Sequence, residues 1–517
     1  MDPAGQSPRV TGEPWNNFIE MRSNPAHRFV GQWRNTEVPS DIVMMDAGAL
    51  AGAIQAKKVS CHEVMTDYLD HIEKLNPKVN AIVALQERAD LLAQAREKDA
   101  QFARGEAVGP LHGFPHAVKD LAPIKGIRMT MGSPILKDNV PAADSAMVAR
   151  LRGAGAIFIG KTNTPEFGLG SNTFNPVYGI TRNAYDQSRS AGGSSGGAAV
   201  ALALRMLPLA DGSDYAGSLR NPAGWNNVFG FRTSIGLVPA DGRDAFLLTM
   251  GVLGPMARTI SDLALLLSVQ AGYDARVPLS IAGNGAVFRA PLERDFKGTR
   301  IAWTGDYNGY MSYEPGVLDL CKTALKTFES LGCIVEEARP DFSMEALWRA
   351  FLPLRAWQTT GPLLAYYKDP AKRALLKPEA VFEIESALKL SALDITAASA
   401  VRTEWYHATR RFFESYDYFI VPTAQVFPFD ANLNWPREIA GVKMETYHQW
   451  QQGVIPITMA GNPALAVPAG FNEAGLPMGI QIAGPNHGDL SCLQLAYAYD
   501  LATGWTKRRL PPLLAQA

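Results

Sequence analysis

The stretch "GGSSGG", Gly192 to Gly197, sets two serines between paired glycines. Three chemistries fit such a run: a flexible linker, a phosphate cradle, or a tight turn beside a catalytic hydroxyl. A linker belongs in polar, aperiodic surroundings, but this stretch runs directly into "AAVALALRM", an apolar segment with helical spacing. It therefore opens a buried helix. Helix starts attract anions through their unpaired N–H groups, yet neither G-x-x-x-x-G-K-[ST] nor G-x-G-x-x-G is present. Two further polar elements favour the third chemistry. Ser218 follows Gly217 in "DGSDYAGSLRNPAG", a glycine-bearing loop after the expected strand "RMLPLA". Lys119 ends the apolar run of "GPLHGFPHAVKDLAPIKG", immediately before Asp120. A serine is a weak nucleophile until a partner takes its proton. A lysine takes that proton only when neutral, a state that burial favours. Serine paired with lysine is one alternative to Ser-His-Asp. On these residues alone, the serines also fit as turn residues, Lys119–Asp120 as an exposed pair, and Asp214–Arg220 as a structural bridge.

Histidine is the commonest base, and His112 and His116 stand four apart. No other His, Cys or Glu completes an H-E-x-x-H or similar ligand set around them, which disfavours a metal hydrolase.

The elements that must hold these residues follow from the texture of the chain. Residues 1–40 are polar and aperiodic and read as an N-terminal extension. Helical spacing begins at "DAGALAGAIQAKKVSCHEVMTDYLDHIEKLNP", followed by a short strand "NAIVAL" and a charged helix stopped by Gly105. From 110 to 255, short apolar runs ("GAIFIG", "RMLPLA") alternate with helical runs ("DSAMVARLRGAG", "GGAAVALALRM") and many turns, the pattern of an α/β core with functional loops. Beyond it, aromatic residues accumulate in helical sequence: Trp348, Phe351, Trp357, Tyr366, Tyr367, Trp405 and Tyr406. Strands return at "YDYFIVPTA", "NPALAVPAGF" and "LPMGIQIAG". No repeat and no Gly/Ser/Pro-rich linker divides the chain, so one large domain over 41–517 is expected.

Composition narrows the class. Hydrophobic residues make up 47% and charged residues 19% of 517, with formal net charge -1, so no global field favours nucleic acid or an anionic membrane. The four cysteines (Cys61, Cys321, Cys333, Cys492) are scattered and form no CxxC pair, which suits a reduced, cytoplasmic protein. The opening residues carry no secretory-signal pattern, and no run approaches the ~20 apolar residues of a membrane span.

Taken in order, "HGFPHAVKD", "GAIFIGKTNTPEFGLGSNT", "GGSSGGAAVALAL" and "GSDYAGSLRNPAG" resemble the amidase signature family of hydrolases, as does the later "GNPALAVPAGFNEAGLPMGIQIAG". The resemblance runs from about Asp46 to Leu513 and is densest over 110–255, with a variable substrate-pocket region over about 270–450. It implies an α/β/α fold, a central mixed β-sheet covered by helices on both faces. It also implies a cofactor-free, metal-free enzyme cleaving C–N amide bonds of a small molecule through an acyl-enzyme. The homodimer is left open.

Position by position, the resemblance implies Ser218 as nucleophile, Ser194 as a bridging serine after a cis peptide bond, and Lys119 as base. The oxyanion hole would come from the N–H groups of Tyr215, Ala216, Gly217 and Ser218. Ser195, Asp214 and Arg220 would support the loop. Two departures stand out. The family commonly has two glycines before the nucleophile where this chain has Ala216–Gly217, and Tyr215 replaces a usually smaller residue. His116 stands where an apolar residue is common, leaving pocket lining and packing behind the site both open. The motifs do not choose among amides, anilides, ureas and carbamates. The aromatic 340–450 region, with Trp435, Tyr447 and Trp450, fits either an apolar pocket mouth or a filled core. Alternatives are the glutaminase subunit of a tRNA-dependent amidotransferase and a non-catalytic binding scaffold.

Overall fold

The structure, a computed structural model, describes residues 39–242, 244–247 and 250–515. The expected extension over 1–40 lies outside these, apart from Pro39 and Ser40, the latter capping a short helix.

Among the described residues two sheets matter to the site. The smaller one joins β1 (Ile82–Val83), β2 (Pro115–Lys119) and β3 (Ile157–Thr162) in the order β1-β3-β2, with β2 and β3 parallel. The larger one has eight strands: β4 (Ala210–Asp214), β5 (Phe229–Arg232), β6 (Val252–Ala257), β7 (Arg300–Trp303), β8 (Ile334–Glu337), β9 (Tyr418–Pro422), β10 (Ala464–Phe471) and β11 (Pro477–Ala483). Their order is β8-β7-β9-β11-β10-β5-β6-β4. The pairs β8/β7 and β9/β7 are parallel and the others antiparallel, so the sheet is mixed, as expected.

Helices surround the sheets: α1 (Cys61–Val79), α2 (Gly196–Ala203), α3 (Arg220–Trp225), α4 (Val317–Ser330), α5 (Met344–Lys368), α6 (Pro378–Ala387), α7 (Ala392–Phe412), α8 (Ile455–Ala460) and α9 (Asp489–Thr503). Strands β10 and β11 are packed by α3 and by α4, and nearly every residue in them is buried. That double cover explains why "ALAVPAGF" and "PMGIQIA" read as continuous apolar runs. α1 begins at a reciprocal cap between Ser60 and Glu63. α5, α6 and α7 form one helical layer in which α5 packs on both of the others, and α5 and α7 also dock on α8.

One expected strand moved. "RMLPLA" is a turn up to Leu209, and the strand starts only at Ala210. Arg205 sits at φ 61 and Pro208 has no N–H for a ladder, so pairing waits for Ala210 opposite Met256. The shift carries Asp211, Ser213 and Asp214 onto the edge strand β4, against which β2 packs. Lys119, the last residue of β2, is thereby buried where the two sheets meet.

The glycines of the 192–197 loop serve close packing. A Cβ on Gly197 would lie 2.4 Å from the Asn163 backbone nitrogen and 2.6 Å from the Ala81 carbonyl oxygen. Gly197→Ala is expected to destabilise the fold by about 1–3 kcal/mol or more, read as a lower urea midpoint. Gly153→Ala, where a Cβ meets nothing within 4 Å of it, serves as the control. Equal midpoints for the two variants would contradict the packing.

Candidate active site

Lys119, Ser194, Ser195 and Ser213 converge although the chain separates them widely. The Lys119 Nζ lies 2.8 Å from Ser194 Oγ, 2.8 Å from Ser195 Oγ and 2.9 Å from Ser213 Oγ, with the Ser213 carbonyl at 3.4 Å. The peptide bond Gly193–Ser194 is cis. Neither Lys119 nor Asp120 is exposed, which removes the surface-pair reading; Asp120 instead accepts from the Thr130 N–H and hydroxyl. Burial pushes the Lys119 amine down to about 7, against the opposing pull of the Asp214 and Asp211 carboxylates. A neutral amine has two N–H donors and a lone pair, so among these oxygens one hydroxyl can donate to the nitrogen.

Ser218 lies in the turn between β4 and α3, and its carbonyl accepts from the Ser195 N–H at 3.1 Å. That bond ties the glycine-serine loop to the serine turn. Asp214 organises the turn: Arg220 donates to both its oxygens at 2.9 Å, and Arg232 donates to Oδ1 at 3.2 Å. Burial works to raise the Asp214 carboxyl, but the two arginines outweigh it and hold the group far below the usual carboxylate range. The expected Asp214–Arg220 pair is thus present; Arg232 was not anticipated. Arg220 also donates to the Val454 carbonyl, Thr458 Oγ1 and Gln481 Oε1, fastening the turn to α8 and β11.

One of the expected oxyanion donors is engaged within the turn. The Gly217 N–H donates to Asp214 Oδ1 at 2.9 Å, so it is committed within the turn. What Gly217 supplies is φ 88 in a space where a Cβ would approach Val454 to 2.9 Å. Tyr215, Ala216 and Ser218 line the cavity beside the serine.

Behind Lys119, Asp211 Oδ2 accepts the Lys119 backbone N–H at 3.2 Å, and His116 Nε2 meets Asp211 Oδ1 at 2.9 Å. His116 therefore packs behind the site and does not line the pocket. His112 is elsewhere, bonded to the Lys98 carbonyl. Among the described residues, no group of three or more His, Cys, Asp or Glu side chains is placed to hold a metal ion.

In front of Ser218 stands a wall that no motif announced. Tyr215 donates to Gln358 Oε1 at 2.7 Å, and the Arg355 guanidinium lies 5.1 Å from the Tyr215 ring centre. Glu383 Oε1 accepts from Arg355 Nε at 2.7 Å, from His448 Nε2 at 2.8 Å and from the Tyr447 hydroxyl. Burial works to raise the Glu383 carboxyl, yet Arg355 beside it holds it at about 2. Burial lowers the His448 imidazole, against the opposing pull of the Glu383 carboxylate. Of the aromatics, Trp450 fills the core, stacked 5.8 Å from Trp225, while Tyr447 lines the serine cavity. Trp435 lines a small neighbouring pocket and stacks under Arg437.

The profile of the Amidase family matches residues 63–493. The chain belongs to the amidase family. It is 33% identical over 468 residues to an acylamidase of Rhodococcus erythropolis, covering 90% of this chain and 97% of the relative. It is also 33% identical over 474 residues to a glutamyl-tRNA(Gln) amidotransferase subunit of Thermosynechococcus vestitus, covering 88% and 97%. Among solved structures, a bacterial aryl acylamidase of the amidase signature enzymes superposes with TM-score 0.85 at 29% identity, covering 92% of this chain and 99% of that one. The fold is accordingly the amidase signature fold, and the chain is a hydrolase acting on amide C–N bonds.

This amidase holds its serine turn by a buried two-arginine, one-carboxylate cluster. Asp214→Ala would leave Arg220 and Arg232 buried and uncompensated, and the expected loss is about 3–5 kcal/mol of stability by chemical denaturation. A loss below about 1 kcal/mol would show that the cluster does not hold the turn.

Proposed function

We propose that this amidase hydrolyses apolar amides, anilides and aryl amides foremost, through an acyl-enzyme on Ser218, with aryl carbamates as a side activity. The observation that carries the reading is the water-excluded Lys119 amine within 2.8 Å of two serine hydroxyls. Ser218 Oγ attacks the substrate carbonyl carbon as its proton passes to Ser194 Oγ, and the Ser194 proton passes to neutral Lys119. The C–N bond of the tetrahedral intermediate then breaks, and the relay returns a proton to the departing amine. Water, deprotonated by the same relay, attacks the ester and frees Ser218 and the acid. The N–H groups of Ala216 and Ser218, and that of Tyr215, are the oxyanion donors in this reading. Ser195 and Ser213 hold Lys119 in place, and Asp214 with Arg220 holds the turn.

The apolar preference draws support from the Tyr215, Tyr447 and Ile455 walls beside Ser218, and from the acylamidase and aryl acylamidase relatives. A glutaminase role is the second reading, favoured by the similarity to the amidotransferase relative. We read residues 41–517 as one catalytic domain, since one apolar core runs from Val43 to Leu514. Four free, buried cysteines support a cytoplasmic site of action, and no helix among the described residues is long and apolar enough to cross a membrane.

Three outcomes test the mechanism. Ser218→Ala abolishes turnover of 4-nitroacetanilide, and the wild type turns it over faster than acetamide or glutamine; faster glutamine turnover would favour the second reading. The base must be neutral, so kcat/KM rises with pH and levels off above about 7. Asp211→Asn removes a negative charge that favours protonated Lys119, so that acid limb moves to lower pH. A limb that moves upward would contradict the assignment of Lys119 as base.

A further inference from the structure

The cavity that Ser218 faces has a volume of about 20 Å³, room for a single water. An anilide ring cannot enter it as it stands. Sharing His448 with it, a groove of about 650 Å³ is enclosed by α5, α6 and α7, within the range of small-molecule sites. Its walls are largely apolar, with Ala350, Leu352, Pro353, Ala398 and Val401 among them. The two spaces share a wall. His448 lines both, and Glu383, which lines the groove, accepts hydrogen bonds from Arg355 and Tyr447, which line the serine cavity.

We propose that this groove receives the apolar aryl or alkyl end of the amide substrate, with the His448 imidazole as the partition between it and Ser218. The proposal rests on the amide-hydrolysis reading above and names where the bulky group goes. Three features favour this occupant. Charge in the groove is confined to Arg349, Asp394 and Glu383, the last already paired with Arg355, which suits an uncharged ring. His448 lines both the groove and the cavity that holds Ser218. That side chain is held by Glu383 at 2.8 Å and by Thr446 Oγ1 at 3.2 Å. In this proposal the imidazole swings aside to join the two volumes, while the Arg355–Glu383 pair and the Tyr447 hydroxyl stay bonded to one another.

Filling the groove tests this. In Ala398→Trp the indole occupies the space proposed for the ring, and selectivity, the ratio of kcat/KM for 4-nitroacetanilide to that for acetamide, is expected to fall at least about tenfold. Val401→Phe on the same helix gives an independent filling, should Ala398→Trp fail to fold by circular dichroism. An unchanged ratio in a folded variant would overturn the proposal. An unchanged ratio with an altered oligomeric state in light scattering would overturn it too, marking the groove as a contact between copies. A wild type that hydrolyses neither amide would instead defeat the functional reading itself.

Discussion

A lysine amine removed from water holds its proton weakly, and the architecture around Ser218 follows from keeping one amine dry. Two sheets abut so that the end of β2 lies against β4, and the amine of Lys119 meets hydroxyls there in place of solvent. Two carboxylates stand close enough to oppose the effect, Asp211 and Asp214. Each is already engaged: Asp214 by Arg220 and Arg232, Asp211 by His116 and the Lys119 N–H. Burial therefore prevails over attraction. Serine hydroxyls are the right neighbours for such an amine, because each can donate or accept as the proton moves.

The same arginine that neutralises Asp214 links the chemistry to the rest of the molecule. Arg220 reaches from the serine turn to Val454 and Thr458 around α8 and to Gln481 on β11. α8 in turn carries the docked pair α5 and α7, and α5 supplies Arg355 to the wall in front of Ser218. A change in the helical layer can thus reach the serine turn through a short chain of buried polar contacts. The wall itself is a charged cluster around Glu383, and its polar groups satisfy one another, so it can face an apolar substrate without an unpaired charge.

Lys119, Ser194 and Ser218 were legible because each lies in a short motif at an element end, where local pattern and chemistry coincide. Arg355, Glu383, Tyr447 and His448 were not. They sit in amphipathic helices and an irregular loop, where polar residues read as a solvated face, and Arg355 finds Tyr447 only 92 positions later. The aromatic region admitted pocket and core readings, and the fold divides it: Trp450 packs inside and Tyr447 faces the serine cavity. "RMLPLA" misled because apolar content mimicked a strand that Pro208 and the left-handed Arg205 prevent. The bond from the Gly217 N–H to Asp214 was not legible for a related reason, since a donor's direction depends on the turn and not on the residue type.

The central claim is that Lys119 is neutral at working pH because the fold excludes water from it. Its most direct measurement is a carbon-13 NMR titration of the Lys119 Cε resonance in the Ser218→Ala variant, assigned by loss of the signal in Lys119→Met. A midpoint near 7 is expected. A resonance that stays that of a charged ammonium up to the ordinary lysine range, about 10.4, would contradict it.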